Sequence, residues 1–293
     1  MLTGRSLPPL LLLVDDDPYQ AETAAYIADE LGCDFESAGS GNEALQKVAQ
    51  RAPDVILLDV KMPDLSGYEV CRRIKTDERT AGIQVLFVTA RTEEEDLLQG
   101  FEALANDYVT KPFSARELKA RVRNALRTKG LLDALTQRTR FLELQQEIAD
   151  RLEDPAVASD ERRGAVLEGV LDKIGAYFGA DGVTLAARRP DRPEVAVHLS
   201  TGWPGGAPPS YLAALALSED PRVDRAPRMP GESREAGLDW AVTSAPLWVG
   251  AELLGTLRLH RRGPLPPPGH SGELEHLVAL CGHLARSLRR SES

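Results

Sequence analysis

Cysteine is scarce in this chain, with three among 293 residues. Cys33, Cys71 and Cys281 are odd in number, widely spaced and outside any Cys-x-x-Cys or Cys/His ligand pattern, which argues against a disulfide framework or zinc site and predicts buried reduced thiols. His270, His276 and His283 match no zinc spacing either, and are read as solvent or packing histidines. Long apolar runs are also missing, since no stretch approaches the roughly 20 residues needed to span a bilayer. The run Leu10-Leu11-Leu12-Leu13-Val14 has the look of a secretory signal, but Pro8-Pro9 precede it, three aspartates end it and no small-residue cleavage site follows. It is read as a buried strand of a cytoplasmic protein with no membrane anchor. Basic charge is the minority: 35 Lys and Arg against 45 Asp and Glu leave a formal net charge of -10, so no nucleic-acid partner is expected.

What is present points first to two domains, because 293 residues with 42% hydrophobic content exceed the usual size of one. The first part repeats strand and helix. Leu10 to Val14 is a continuous apolar strand, and Asp17-Pro18 supplies an N-cap followed by proline at the first helical position, opening a helix through about Leu31. Further strands are expected at Cys33 to Ala38, Val55 to Leu58, Val85 to Val88 and Tyr108-Val109. The helices between them are expected at Asn42 to Gln50, around Tyr68 to Ile74, and at Glu93 to Phe101. Ser114 with Glu117 forms a capping box before a helix carrying Leu118 and Val122. Five strands alternating with five helices imply an α/β doubly wound parallel sheet covered on both faces. In such sheets sites form at the carboxyl ends of strands, near the reversal of strand order. Asp15, Asp16, Asp59 and Thr89 fall there, and Lys111 follows the fifth strand closely.

With Val14-Asp15-Asp16-Asp17-Pro18, Asp59-Val60-Lys61-Met62-Pro63 and Gly67, Val88-Thr89-Ala90, and Asp107-Tyr108-Val109-Thr110-Lys111-Pro112-Phe113, residues 8 to 128 resemble the receiver domain of two-component response regulators. The resemblance implies a flavodoxin-like (βα)5 fold in which Asp59 accepts a phosphoryl group from a histidine kinase or phosphotransfer protein. It assigns Mg²⁺ to Asp16 and Asp59, with Asp15 acting mainly through water and the Lys61 backbone carbonyl completing the protein ligands. A hard cation with oxygen ligands answers the repulsion between a phosphoryl donor and a carboxylate nucleophile. Lys111 would serve one phosphoryl oxygen as a point charge, and the Thr89 hydroxyl another. Thr89 and Tyr108 would then form the switch, Tyr108 repacking the face of the fourth helix and fifth strand. The turn before Asn106 departs from the pattern: it reads Ala103-Leu104-Ala105, where receivers usually carry glycine.

The expected domains are a receiver over 1–128, a helical linker over 129–154, and a second domain over 155–293. In the linker, Leu131, Ala134, Phe141, Ile148 and Leu152 follow helical spacing, interrupted by Arg138 and Gln145, while Leu132, Leu135, Leu142 and Ala149 form an adjacent stripe. That pattern suits a coiled-coil homodimer seam, and a helix packed on its own domains is the alternative. Asp133-Ala134-Leu135-Thr136 resembles the entry to diguanylate cyclase domains, but no GGDEF-like or EAL-like signature follows, so no enzyme activity is expected.

Beyond 155 the expected elements are a helix over Arg163 to Phe178, strands near Val183 to Ala187 and Val195 to Leu199, a helix over Tyr211 to Leu217, strands at Trp240 to Val249 and Leu253 to His260, and a helix over Glu273 to Leu288. Ser244-Ala245-Pro246-Leu247-Trp248-Val249-Gly250-Ala251-Glu252-Leu253-Leu254-Gly255-Thr256-Leu257, with the closing helix, resembles a GAF domain, an α+β sandwich. No cyclic-nucleotide signature or bilin-bearing cysteine is present, and Trp203, Tyr211, Trp240 and Trp248 suit a pocket or a core equally. The reading is a response regulator with a GAF-like output. A regulator in which a small ligand on the GAF half is the main input is the alternative.

Overall fold

A computed structural model describes residues 8–90, 104–153, 160–188, 196–202, 231–234, 240–262 and 271–289. The chain divides into two compact units, Met1–Arg138 and Thr139–Ser293. The expected helices at Glu93 to Phe101 and Tyr211 to Leu217, and the residues Trp203, Tyr211 and His270, lie outside the described residues.

The first unit holds strands β1 (Leu10–Val14), β2 (Asp34–Ala38), β3 (Val55–Leu58), β4 (Gln84–Thr89) and β5 (Asp107–Thr110), with helices α1 (Pro18–Leu31), α2 (Gly41–Gln50) and α3 (Gly67–Thr76). The strands form one parallel sheet in the order β2-β1-β3-β4-β5, so strand order reverses between β1 and β3. Alternate residues of the apolar strands feed two cores. Leu12, Val14, Ile56, Leu58, Val85 and Phe87 meet Ala44 and Val48 of α2 and Val70, Cys71 and Ile74 of α3. Leu11, Leu13, Val55, Leu57, Leu86 and Val88 meet Ala24, Ile27 and Ala28 of α1 and Leu118, Val122, Ala125 and Leu126 of the helix after β5. A strand buried on both faces must be apolar throughout, which is why β1, β3 and β4 lack the alternation of a half-exposed strand. Each buried Leu or Ile here is worth about 2–5 kcal/mol against Ala.

Local chemistry sets the ends of the helices. The Asp17 carboxylate accepts the Tyr19 N–H at 3.0 Å ahead of Pro18, and α1 closes at Gly32. Ser40 and Ser66 cap α2 and α3 by accepting the N–H of Glu43 and Glu69, each at 3.3 Å. Ser114 accepts the Glu117 N–H at 3.1 Å at the start of α4 (Ala115–Glu153), a helix of 39 residues within which the boundary between the units falls. From Leu131 to Arg140 every residue of α4 is exposed except half-buried Asp133.

The second unit pairs β6 (Gly182–Arg188), β7 (Ala196–Thr201), β8 (Gly231–Arg234), β9 (Trp240–Val249) and β10 (Glu252–Arg262) into an antiparallel sheet of order β7-β6-β10-β9-β8. Helices α5 (Asp160–Phe178) and α6 (Ser271–Arg289) complete it. Its core gathers Val183, Leu185, Ala245, Leu247, Leu257 and Leu259 from the sheet, Leu167, Leu171 and Ile174 from α5, Leu277, Cys281 and Leu284 from α6, and Phe141, Leu144 and Ile148 from the end of α4. Strand β8 went unforeseen because Gly-Glu-Ser-Arg carries no apolar residue. No described helix is long and apolar enough to cross a membrane.

Candidate functional site

Val14 pairs with Leu58, and Leu58 with Phe87, so β1, β3 and β4 reach the same edge of the sheet in step. The ladder continues one bond beyond the strands. Asp15 donates its N–H to Ala38 O at 3.1 Å and Asp59 donates to Val14 O at 2.8 Å, so the backbone holds both acids as firmly as the sheet itself. Lys111 is held the same way, its N–H on Thr89 O at 2.7 Å.

Four of the sequence-predicted residues converge. One carboxylate oxygen from each of Asp15, Asp16 and Asp59 lies within 4.8 Å of the others. Lys111 Nζ donates to Asp15 Oδ2 at 2.8 Å and stands 3.7 Å from Asp59 Oδ2. Asp15 is buried, and its other oxygen accepts the Asp17 N–H at 2.9 Å. Asp16 is exposed, while Asp59 is half-buried with Oδ1 accepting the Val60 N–H at 2.8 Å. Burial raises the Asp59 carboxyl above the ordinary aspartate value, Lys111 opposes this, neighbouring Asp15 adds to it, and the Val60 and Lys61 amides lower it. Three carboxylates against one ammonium leave an excess of two negative charges at a wet edge, a donor set that fits a divalent oxygen-seeking cation.

Thr89 is buried at the end of β4 and level with Thr110 of β5. Tyr108, level with Phe87, is 39% exposed. Its backbone is anchored next door, where Arg121 Nη1 donates to both oxygens of Asp107 at 2.8 and 2.9 Å. Lys61 sits exposed in the loop between β3 and α3. Gly67 closes that loop: a Cβ there would stand 2.2 Å from the Asp59 carbonyl oxygen, so any side chain would displace the backbone of the central acid.

Residues 11–123 match the family model described as the response regulator receiver domain. The N-terminal unit is a receiver domain. Over 119 residues the chain is 41% identical to the DNA-binding dual master transcriptional regulator RpaA of Synechocystis, covering 41% of this chain and 49% of that protein. It is 45% identical over 115 residues to the transcriptional regulatory protein CreB of Escherichia coli, covering 39% of this chain and 49% of that one. The chain thus spans about half the length of these curated relatives. Among solved structures, a putative response regulator from Chloroflexus aurantiacus is 39% identical, with a TM-score of 0.39, over 41% of this chain and 98% of its own.

Several features of the receiver escaped sequence reasoning. The Asp107–Arg121 pair joins residues 14 apart. Asp64 accepts the first amides of α2 across 22 and 23 residues. Leu104 takes a left-handed φ of 62°, a region that favours glycine.

In the second unit His276 and Cys281 are packing groups. The His276 ring stacks on Phe141 with centroids 3.7 Å apart, and its Nδ1 lies 3.1 Å from Tyr177 Oη. Cys281 is buried, which pushes its thiol up to about 12; burial likewise puts Cys33 and Cys71 at about 11, and none of the three forms a disulfide. His283 lines a small cavity with Ala149, Leu152, Glu153, Arg286 and Ser287. Trp248 is 39% exposed and stands outside the core.

Proposed function

We propose that the chain is a two-component response regulator whose receiver takes a phosphoryl group on Asp59 and whose second unit, GAF-like and without catalysis of its own, carries the output. The observation that carries this reading is the shared Lys111: one ammonium within 4 Å of the Asp15 and Asp59 carboxylates, at the edge where the acids of β1 and β3 meet. Asp59 is the nucleophile. Its free oxygen forms a bond to phosphorus as the bond from phosphorus to the donor imidazole nitrogen breaks, and the imidazole recovers a proton from solvent. Asp16, Asp59 and the Lys61 carbonyl would hold Mg²⁺, with Asp15 acting mainly through water, and the ion would supply positive charge against the incoming phosphoryl oxygens. Lys111 then turns from Asp15 toward one phosphoryl oxygen, and the Thr89 hydroxyl donates to another. Movement of Thr89 frees space for Tyr108, whose exposure leaves it able to change rotamer.

The partner upstream is a histidine kinase or phosphotransfer protein. Output runs through α4. Leu131, Leu135 and Leu142 are exposed, and with Arg138 they follow the 4-3-4 spacing of a coiled-coil seam, which supports a homodimer along the helix. Ten consecutive, nearly bare residues with this spacing favour a helical partner of the same period. DNA binding is named for the relative RpaA; the net charge of -10 supports a protein-contact output for this chain instead.

Intact-mass analysis of the chain with Mg²⁺ and a small phosphodonor tests the reading. The expected result is one acid-labile phosphate on wild type and none on Asp59→Asn, and equal labelling of the two refutes it. A second reading, a small ligand as the main input, is favoured by Ser244, Thr256 and His260, polar side chains buried on β9 and β10. Native mass spectrometry of the freshly purified chain, showing either a bound small molecule or an empty second unit, decides between them.

A further inference from the structure

One side chain fastens the loop after Asp59 to the neighbouring helix. Asp64 Oδ1 accepts the Gly41 N–H at 3.0 Å and Oδ2 accepts the Asn42 N–H at 2.9 Å. These are the first two amides of α2, which have no intrahelical acceptor, and a carboxylate is favoured at that end by the helix dipole. Ser40 serves the third. The Asn42, Leu65 and Gly41 amides hold the Asp64 carboxyl down to about 2, so it stays charged throughout the neutral range. The two segments are also in close contact. A Cβ on Gly41 would stand 2.8 Å from both Leu65 Cβ and Val70 Cγ2, which leaves no room for any other residue at the start of α2. On its far side the loop is closed by the Gly67 N–H on Val60 O at 3.0 Å, while Met62 and Leu65 pack on the core below. Lys61 lies between these fastenings, with its own side chain in solvent.

We propose that Asp64 is a positioning residue for the acidic site: by tying the loop to α2 it fixes where the Lys61 carbonyl points, and so sets the affinity of the site for a divalent cation. The inference rests on the proposed reading of Asp15, Asp16 and Asp59 as a cation-assisted phosphoacceptor site. A backbone carbonyl has no rotamer of its own and is aimed only by the chain around it, so the residue that anchors the loop acts as an outer-shell group. Asp64 reaches the site through the backbone alone, and a side-chain pattern for metal ligands would not include it.

The test is titration calorimetry of the full chain with MgCl₂, comparing wild type with Asp64→Ala, Asp64→Asn and Asp77→Ala. Asp77 is the control: it is half-buried, caps the C-terminal end of α3 and is held at about 2, by Arg79. Asp64→Ala is expected to weaken Mg²⁺ binding about tenfold. Asp64→Asn, which keeps one acceptor oxygen, should fall between it and wild type, and Asp77→Ala should bind as wild type does. The proposal is overturned if Asp64→Ala binds Mg²⁺ with wild-type affinity, or if Asp77→Ala loses as much. A wild-type chain that takes up no Mg²⁺ overturns the underlying reading of the acidic cluster as well.

Discussion

Lys111 gives its closest contact to Asp15, at 2.8 Å, and stands 3.7 Å from Asp59. The Asp15 side chain is 1% exposed, so the ammonium compensates a desolvated charge before any phosphoryl group arrives. Stripping one partner from a buried pair costs about 3–5 kcal/mol. Lys111 is 22% exposed and the Asp17 N–H still serves Asp15, so Lys111→Ala should lose less, about 2–3 kcal/mol. The fall in urea midpoint, measured in EDTA, reads this directly. Mg²⁺ should restore part of it by supplying the missing charge, and a variant as stable as wild type in EDTA would contradict the pairing.

Asp59 carries a cost that only a cation removes. Its carboxyl titrates above the ordinary aspartate value because it is half-buried, so the folded chain holds that proton more tightly than the unfolded chain does. Stability therefore falls as pH rises from about 3.8 through the raised value, and at neutral pH the charged side chain opposes folding. Without divalent ions at pH 7, Asp59→Asn should melt above wild type, with the difference closing below the unperturbed aspartate pKa. Saturating Mg²⁺ should reverse the order, since ligand at 100 times its Kd adds about 2.7 kcal/mol to the species that binds it. Differential scanning calorimetry across pH, with and without MgCl₂, checks both halves.

Leu104 holds a left-handed φ of 62° that suits glycine better than leucine. An L-residue in the left-handed region costs about 1–2 kcal/mol, and at 62% exposure the side chain recovers little by burial. Leu104→Gly relieves that strain but adds entropy to the unfolded chain, leaving a net gain of about 0.5–1 kcal/mol. The expected rise in Tm is about 2–4 °C per kcal/mol. Leu104→Ala, which keeps the Cβ, should show none of it.

The same residue marks where sequence reasoning stops. Strands β1, β3 and β4 were legible because each apolar run is buried on both faces and ends at a polar group, and Asp15, Asp59 and Thr89 stand at or just past those ends, with Lys111 just past β5. The departure at Ala103-Leu104-Ala105 was equally visible, but the left-handed φ of Leu104 was not, because leucine rarely adopts it and no side-chain pattern marks it. Strand β8 exists through its pairing with β9, and Asp64 acts on amides that are remote in sequence. Neither leaves a periodic trace. In α4 two stripes were legible, but not which of them faces the core. Phe141 and Ile148 went into the second unit, while Leu135 and Leu142 stayed in solvent.

Acid should loosen the second unit through His260. The ring is buried on β10, its Nε2 lies 3.1 Å from Thr184 Oγ1, and burial, aided by Arg258, lowers its pKa to about 4 from 6.5. The folded unit therefore keeps the imidazole neutral where the unfolded chain protonates it. Between about pH 4 and 6.5 the unfolded state binds the extra proton, so stability is fully present above 6.5 and drains away as pH falls. A difference of about 2.5 pKa units corresponds to about 3 kcal/mol over that window. Other groups titrate there as well, so the quantity to measure is the difference between wild type and His260→Gln in urea midpoints followed at several pH values. That difference should shrink steadily from pH 7 to pH 4 as the wild type loses its advantage. A constant offset would mean that the ring is already protonated in the folded chain, or that it is as solvated there as in the unfolded one.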